Sequence, residues 1–93
     1  MIRSFKCKET AALFATGSRA RFKAIGKVAF RKLDYLDAAA TLDDLRFPAG
    51  NRLEALRGGR IGQHSMRIND QFRLCFVWSA NDAFDVEIVD YHS

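Results

Sequence analysis

The stretch "VEIVDYHS" sets an acid, a phenol and an imidazole side by side, at Asp90, Tyr91 and His92. Histidine exchanges a proton near neutral pH, with an unperturbed pKa of about 6.5. Asp90 and Tyr91 could orient that imidazole or share its proton traffic. If this segment pairs close to Arg73 and Arg67, the two guanidinium groups add fixed positive charge. Such a set can take one proton, return another and stabilise a dianionic, five-coordinate phosphorus.

An RNA strand suits this equipment, because its ribose 2′-hydroxyl is a built-in nucleophile and no metal or cofactor is required. Arg, Tyr and His are common residues, so the set alone does not specify the reaction. Other chemistries fit worse. Ser65, an outward-facing serine of the strands, has no nucleophile elbow around it. Gly58-Gly59 lies between strands, so it is no phosphate loop joining a strand to a helix. Cys7, Cys75, His64 and His92 lack the spacing of a zinc site. The two cysteines read instead as small core residues of apolar strands.

The elements that must position these groups follow from periodicity. Ile2 to Cys7 reads as a first strand, and Glu9–Ala15 as a short helix stopped by Gly17. Ser18 fits as the N-cap of a longer helix over about Arg19 to Ala38. On it Phe22, Ile25, Ala29, Leu33 and Leu36 form an apolar stripe for packing on a sheet. Lys23, Lys27 and Arg31 line another face, as a solvated surface or as a ridge that tracks phosphates. Thr41-Leu-Asp-Asp44 has the form of a capping box, and Phe47-Pro-Ala-Gly50-Asn51 reads as a turn.

Beyond that turn the period changes to two. "RLEAL", "IGQHSMRI", "QFRLCFVW" and "FDVEIVDY" read as four strands, separated by Gly58-Gly59, Asn69-Asp70 and Asn81-Asp82. Helices followed by an antiparallel meander predict one α+β, two-layer domain over residues 1–93. Phe72, Leu74, Phe76 and Trp78 should meet the helices, so Arg73 points away from them with Gln71 and Ser79. Gln63, Ser65 and Arg67 share that outer face, which is polar in any antiparallel sheet open on one side. Strict alternation sends only Tyr91 toward the arginines. Asp90 and His92 keep the parity of Ile88, unless a bulge or fraying at the strand end turns them. His64 has the parity of Met66, which makes it a packed histidine as readily as a working one.

Composition narrows the class. A hydrophobic content of 48% and a charged content of 28% fit a globular protein. No apolar run reaches the ~18 residues of a membrane span. The opening MIRSFKCKET has no apolar leader core, so the expected location is the cytoplasm. The net charge of +4 is unevenly spread: residues 1–33 carry nine Lys or Arg against Glu9 alone, and the rest carries six Arg against ten Asp or Glu. A basic region of that kind attracts phosphate backbones or acidic partners.

The run "PAGNRLEALRGGRIGQHSMRINDQFRLCFVW", continued by "DVEIVDYHS", resembles the HigB branch of the RelE-type toxins, the plasmid-maintenance killer proteins. The opening "MIRSFKCKETAALF" is similar to that family's start, so the resemblance covers nearly the whole chain. It implies a RelE-like fold, with N-terminal helices on a mostly antiparallel sheet of four to five strands. It also implies a ribosome-dependent mRNA endoribonuclease that works without cofactor or metal. The implied partners are a HigA-type helix-turn-helix antitoxin, the ribosome and its mRNA, with operator DNA reached through the antitoxin and no membrane. By the same resemblance Arg73, Asp90, Tyr91 and His92 are expected as the catalytic group. Arg57, Arg60, Arg67 and His64 are expected to grip RNA, and Lys23, Lys27 and Arg31 to meet ribosomal RNA. Some members carry a histidine inside "R-L-H-x-L" where this chain has Glu54, which leaves His64 as a candidate to compensate. The competing reading on the same architecture is a gyrase-directed inhibitor of the ParE type, which would not need the terminal Asp-Tyr-His.

Overall fold

A computed structural model describes residues 1–17 and 22–91. Helix α1 spans Lys8–Thr16 and α2 spans Gly26–Ala38. Strands β1 (Glu54–Ala55), β2 (Gln63–Arg67), β3 (Phe72–Ser79) and β4 (Asp82–Asp90) form one antiparallel sheet in the order β1-β2-β3-β4. The helices cover one face of it, giving the two-layer α+β architecture expected from the change of period.

Helix α1 ends at Gly17, whose φ of 73° suits a residue without Cβ and whose N–H donates to the Leu13 carbonyl at 2.9 Å. The expected N-cap Ser18, with Arg19 to Arg21, lies outside the described residues. The second helix starts at Gly26, later than its apolar period implies, because residues 22–25 form a turn closed by the Ile25 N–H on the Phe22 carbonyl. Phe22, Ile25, Ala29, Leu33 and Leu36 are nevertheless all buried, with Met66, Ile68, Leu74, Phe76, Val86 and Ile88 facing them from the sheet. The stripe thus packs as read, although a turn supplies its first two members.

Thr41 and Asp44 form the expected capping box at the head of a 3-10 turn, Leu42–Arg46. A second such turn, Ala49–Asn51, follows the cis Phe47-Pro48 bond. Here α2 is pinned to the loop by a buried Lys32, whose Nζ donates to Asn51 Oδ1. Burial, reinforced by Arg31 and Arg67, holds the Lys32 pKa below its ordinary value.

The expected first strand is reduced to two isolated parallel bridges, Ile2 to Ala83 and Phe5 to Val86. A bulge in β4 lies between these two bridges. The register runs Cys75 to Glu87 but Val77 to Phe84, so one extra residue interrupts the ladder. Asp85 takes a left-handed φ of 52° there, and its N–H donates to Ser4 Oγ at 2.9 Å. Cys7, expected in that strand, is the half-buried residue before α1 instead. The β3–β4 hairpin turns at Ala80-Asn81, one residue earlier than expected, with φ of 52° and 64°. Two positive φ values are what a two-residue loop needs to match the strand twist. Asn69 closes the β2–β3 connection by accepting the Gln71 and Phe72 N–H groups, both at 2.8 Å. Among the described residues no helix is long and apolar enough to cross a membrane.

Candidate functional site

The site is built on the sheet face turned away from the helices. Leu74 and Phe76 point into the core, so alternation along β3 sends Arg73 and Cys75 outward. Arg73 lies opposite Arg67 on β2 and Val89 on β4. Its side chain is only 14% exposed, because three neighbouring elements hold it. Nε donates to Ser65 Oγ at 2.8 Å, and Nη2 donates to the Arg52 carbonyl at 2.7 Å. Glu54 Oε1, on β1, lies 3.0 Å from the same Nη2. Charge-assisted contacts of this kind fix the guanidinium plane as well as its charge. Ser65, fully buried beneath it, holds Arg73 in place.

Tyr91 joins this face from the end of β4. Its N–H donates to the Gln71 carbonyl at 2.6 Å, and its hydroxyl lies 3.8 Å from Cys75 Sγ. Burial, and then the bond to Cys75, push the phenol pKa above its ordinary value, so Tyr91 keeps its proton at neutral pH. Burial also pushes up the Cys75 thiol, which is fully covered and inert as a nucleophile. Cys75 is therefore buried as expected, but on the outer face rather than in the core against the helices.

Arg60 and Arg67 are paired with carboxylates. Arg60 Nη1 donates to Glu87 Oε1 at 2.8 Å and to Gln63 Oε1 at 3.1 Å. The bond to Glu87 is what raises the Arg60 pKa. Arg67 Nη2 meets the exposed Asp70 carboxylate at 2.5 Å. Arg57 stands exposed ahead of the turn Gly58–Arg60.

Among the described residues, several expected members are not brought together with Arg73. Asp90 keeps the parity of Ile88 and lies opposite Phe72, where its carboxylate accepts Gln71 Nε2 at 3.1 Å. The β4 bulge sits at Asp85, too early in the strand to turn Asp90 outward. His92 lies outside the described residues. His64 points to the helix side, stacked on Phe76 with ring centroids 6.2 Å apart. Its Nδ1 is buried with no hydrogen-bond partner among the described residues. Burial first, then Arg46, lower its pKa, so it stays neutral. It is a packed histidine, on the wrong face to compensate for Glu54. Lys23, Lys27 and Arg31 are exposed on the helix layer, the opposite side of the molecule from Arg73. Two hollows, of about 220 and 310 Å³, lie along α2 beside Lys27 and Arg31 and away from the arginine face. Among the described residues no three His, Cys, Asp or Glu side chains gather as a metal would need.

Sequence reasoning missed the holders of Arg73. Alternation puts Ser65 on the right face, but only the pairing of Ser65 with both Glu54 and Cys75 reveals the cluster. The Arg52 carbonyl had no signal, since its direction depends on a left-handed φ of 45° at a non-glycine residue.

A model of the HigB-like toxins, described as RelE-like toxins of type II toxin–antitoxin systems, matches residues 3–92. The chain is 55% identical over 49 residues to Toxin HigB-1 of Vibrio cholerae, covering 53% of this chain and 52% of that protein. It is 37% identical over 67 residues to an uncharacterised protein of Haemophilus influenzae, covering 72% of this chain and 65% of that one. The matches thus span about half to two thirds of those relatives' length. In fold it is similar to a chain of the heterotetrameric YoeB–YefM toxin–antitoxin complex of Staphylococcus aureus. That likeness has a TM-score of 0.63 at 17% identity and covers 100% of this chain and 99% of the other. A second YoeB–YefM structure from the same organism gives a TM-score of 0.59 at 17% identity, with the same coverage. The matched model runs over nearly the whole chain, and on that ground the chain belongs to the HigB-like family of RelE-like toxins.

Proposed function

We propose that the chain is the toxin of a type II toxin–antitoxin pair and stops translation by cutting mRNA on the ribosome, with a HigA-type antitoxin as its neutralising partner. The observation that carries this reading is Arg73, a guanidinium fixed on an open sheet face beside the protonated phenol of Tyr91. The substrate's 2′-oxygen attacks the adjacent phosphorus as its proton passes to a base. The bond from phosphorus to the 5′-oxygen then breaks, that oxygen takes up a proton, and a 2′,3′-cyclic phosphate is left. Arg73 stabilises the charge that builds on the phosphoryl oxygens, and Tyr91 donates a hydrogen bond to them. His92, next in the chain, handles the proton, since an imidazole titrates in the right range. Arg57, Arg60 and Arg67 border the same face and guide the phosphates, while Lys23, Lys27 and Arg31 meet ribosomal RNA.

The test is induction of Arg73→Ala and His92→Gln variants with primer extension on a reporter message. Losing one such stabilising group costs about 10²–10³ in rate. Both variants should therefore lose mRNA cleavage and growth arrest while still binding the antitoxin. Variants as toxic as the parent would overturn the assignment, and growth arrest by the parent with intact message would favour gyrase-directed inhibition.

A further inference from the structure

We propose that Asn51 is a positioning residue for Arg73, acting through the turn that aims the Arg52 carbonyl. The inference rests on the reading of Arg73 as the phosphate-stabilising group. Asn51 has no solvent exposure, yet its amide is fully engaged. Oδ1 accepts the buried Lys32 ammonium, and Nδ2 donates to the Leu45 and Phe47 carbonyls at 3.2 and 3.1 Å. Its own N–H donates to the Pro48 carbonyl at 3.0 Å. These bonds fasten both ends of the segment from Leu45 to Asn51 to one another and to α2.

The next residue, Arg52, adopts φ 45° and ψ 55°, a left-handed conformation that costs a side-chain-bearing residue stability. Such a conformation persists where its surroundings over-determine it, and Asn51 supplies that constraint from one side. From the other, the Arg52 carbonyl accepts Arg73 Nη2 at 2.7 Å. A path therefore runs from Lys32 on the helix layer, through Asn51 and the backbone of Arg52, to a guanidinium on the opposite face of the sheet. Lys32 has a reason to be buried that a surface lysine would lack. Its ammonium matches the amide oxygen, so Asn51 presents its Nδ2 to the loop carbonyls and cannot flip.

The experiment follows the Arg73 side chain directly. In an arginine-labelled protein, an Nη2–H of Arg73 is bonded to the Arg52 carbonyl on a largely buried side chain, so its exchange with water should be slow. Asn51→Ala should free the Arg52 carbonyl and speed that exchange by about fivefold, the effect of losing one hydrogen bond. RNA cleavage should fall by about tenfold to a hundredfold, with most of the loss in kcat, as for a displaced catalytic group. Leu36→Ala, a core truncation of the same helix layer, controls for general loosening and should leave the Arg73 exchange rate unchanged. If Asn51→Ala does not fold, Lys32→Met carries the test under the same criterion. Unchanged Arg73 exchange in the folded variant, or equal acceleration in Leu36→Ala, would overturn the proposal. Because exchange is read without substrate, it stands or falls separately from the ribonuclease assignment.

Discussion

Glu54→Gln removes one charge from the Arg73 site and keeps the shape of the side chain. In the folded chain the Glu54 carboxylate sits 3.0 Å from Arg73 Nη2, so part of the arginine's positive potential is already neutralised. An incoming phosphate must compete with it. Glu54 is 57% exposed and Arg73 only 14% exposed, so solvent screens one end of the pair far more than the other. Half-exposed pairs of this kind are worth about 0.2–1 kcal/mol, and burial of Arg73 places this one near the top of that range. Removing the competitor should tighten anion binding by up to about fivefold. The assay is fluorescence anisotropy with a single-stranded RNA whose 2′-hydroxyls are methylated, so that it binds without being cut. Parent and Glu54→Gln should differ most at low salt and converge as salt rises, because part of the interaction is screened. Unchanged or weaker binding at low salt would refute the idea that Glu54 competes with phosphate for Arg73.

Two further outcomes concern stability. Ala80 pays for a left-handed φ of 52° at a hairpin position that favours Gly or Asn, so Ala80→Gly should stabilise the fold by up to about 1 kcal/mol, raising Tm by about 4–8 °C in a thermal melt. His64 has a lowered pKa when folded, so the unfolded chain binds its proton first. Its contribution is intact above the unfolded value of about 6.5 and is lost as the pH falls through the folded pKa. Melting temperatures measured from pH 7.5 down to 5, with both endpoints chosen to bracket about 6.5, should fall less steeply in His64→Phe than in the parent.

Much of this arrangement was legible because it depends on local periodicity. Alternation in "QFRLCFVW" placed Leu74 and Phe76 inside and Arg73 outside, and that is how β3 lies. The same rule correctly put Tyr91 on the arginine face and Asp90 off it, and left His64 with Met66. What it could not supply was pairing across strands. The approach of Glu54 to Arg73 depends on β1 lying beside β2, and no spacing in the sequence encodes that contact. The β4 bulge escaped because Asp85 looks like any polar strand residue until its left-handed backbone is seen. The late start of α2 escaped for the opposite reason: a turn at residues 22–25 can bury Phe22 and Ile25 as well as a helix can.

Arg73 and the basic residues of the helix layer differ in how far folding restricts them. A free arginine side chain gives up as much as about 2 kcal/mol of rotamer entropy on being held in one geometry. For Arg73 that loss occurs at folding, since Ser65, Arg52 and Glu54 hold it before any partner arrives. Lys23, Lys27 and Arg31 stand in solvent, so any partner would have to order them on contact. Under the proposed function, the first site would discriminate by shape, with little reorganisation when a phosphate reaches it. The second would act at range, drawing in polyanions through a field that salt weakens. On that proposal, capture and discrimination fall to opposite sides of one small sheet.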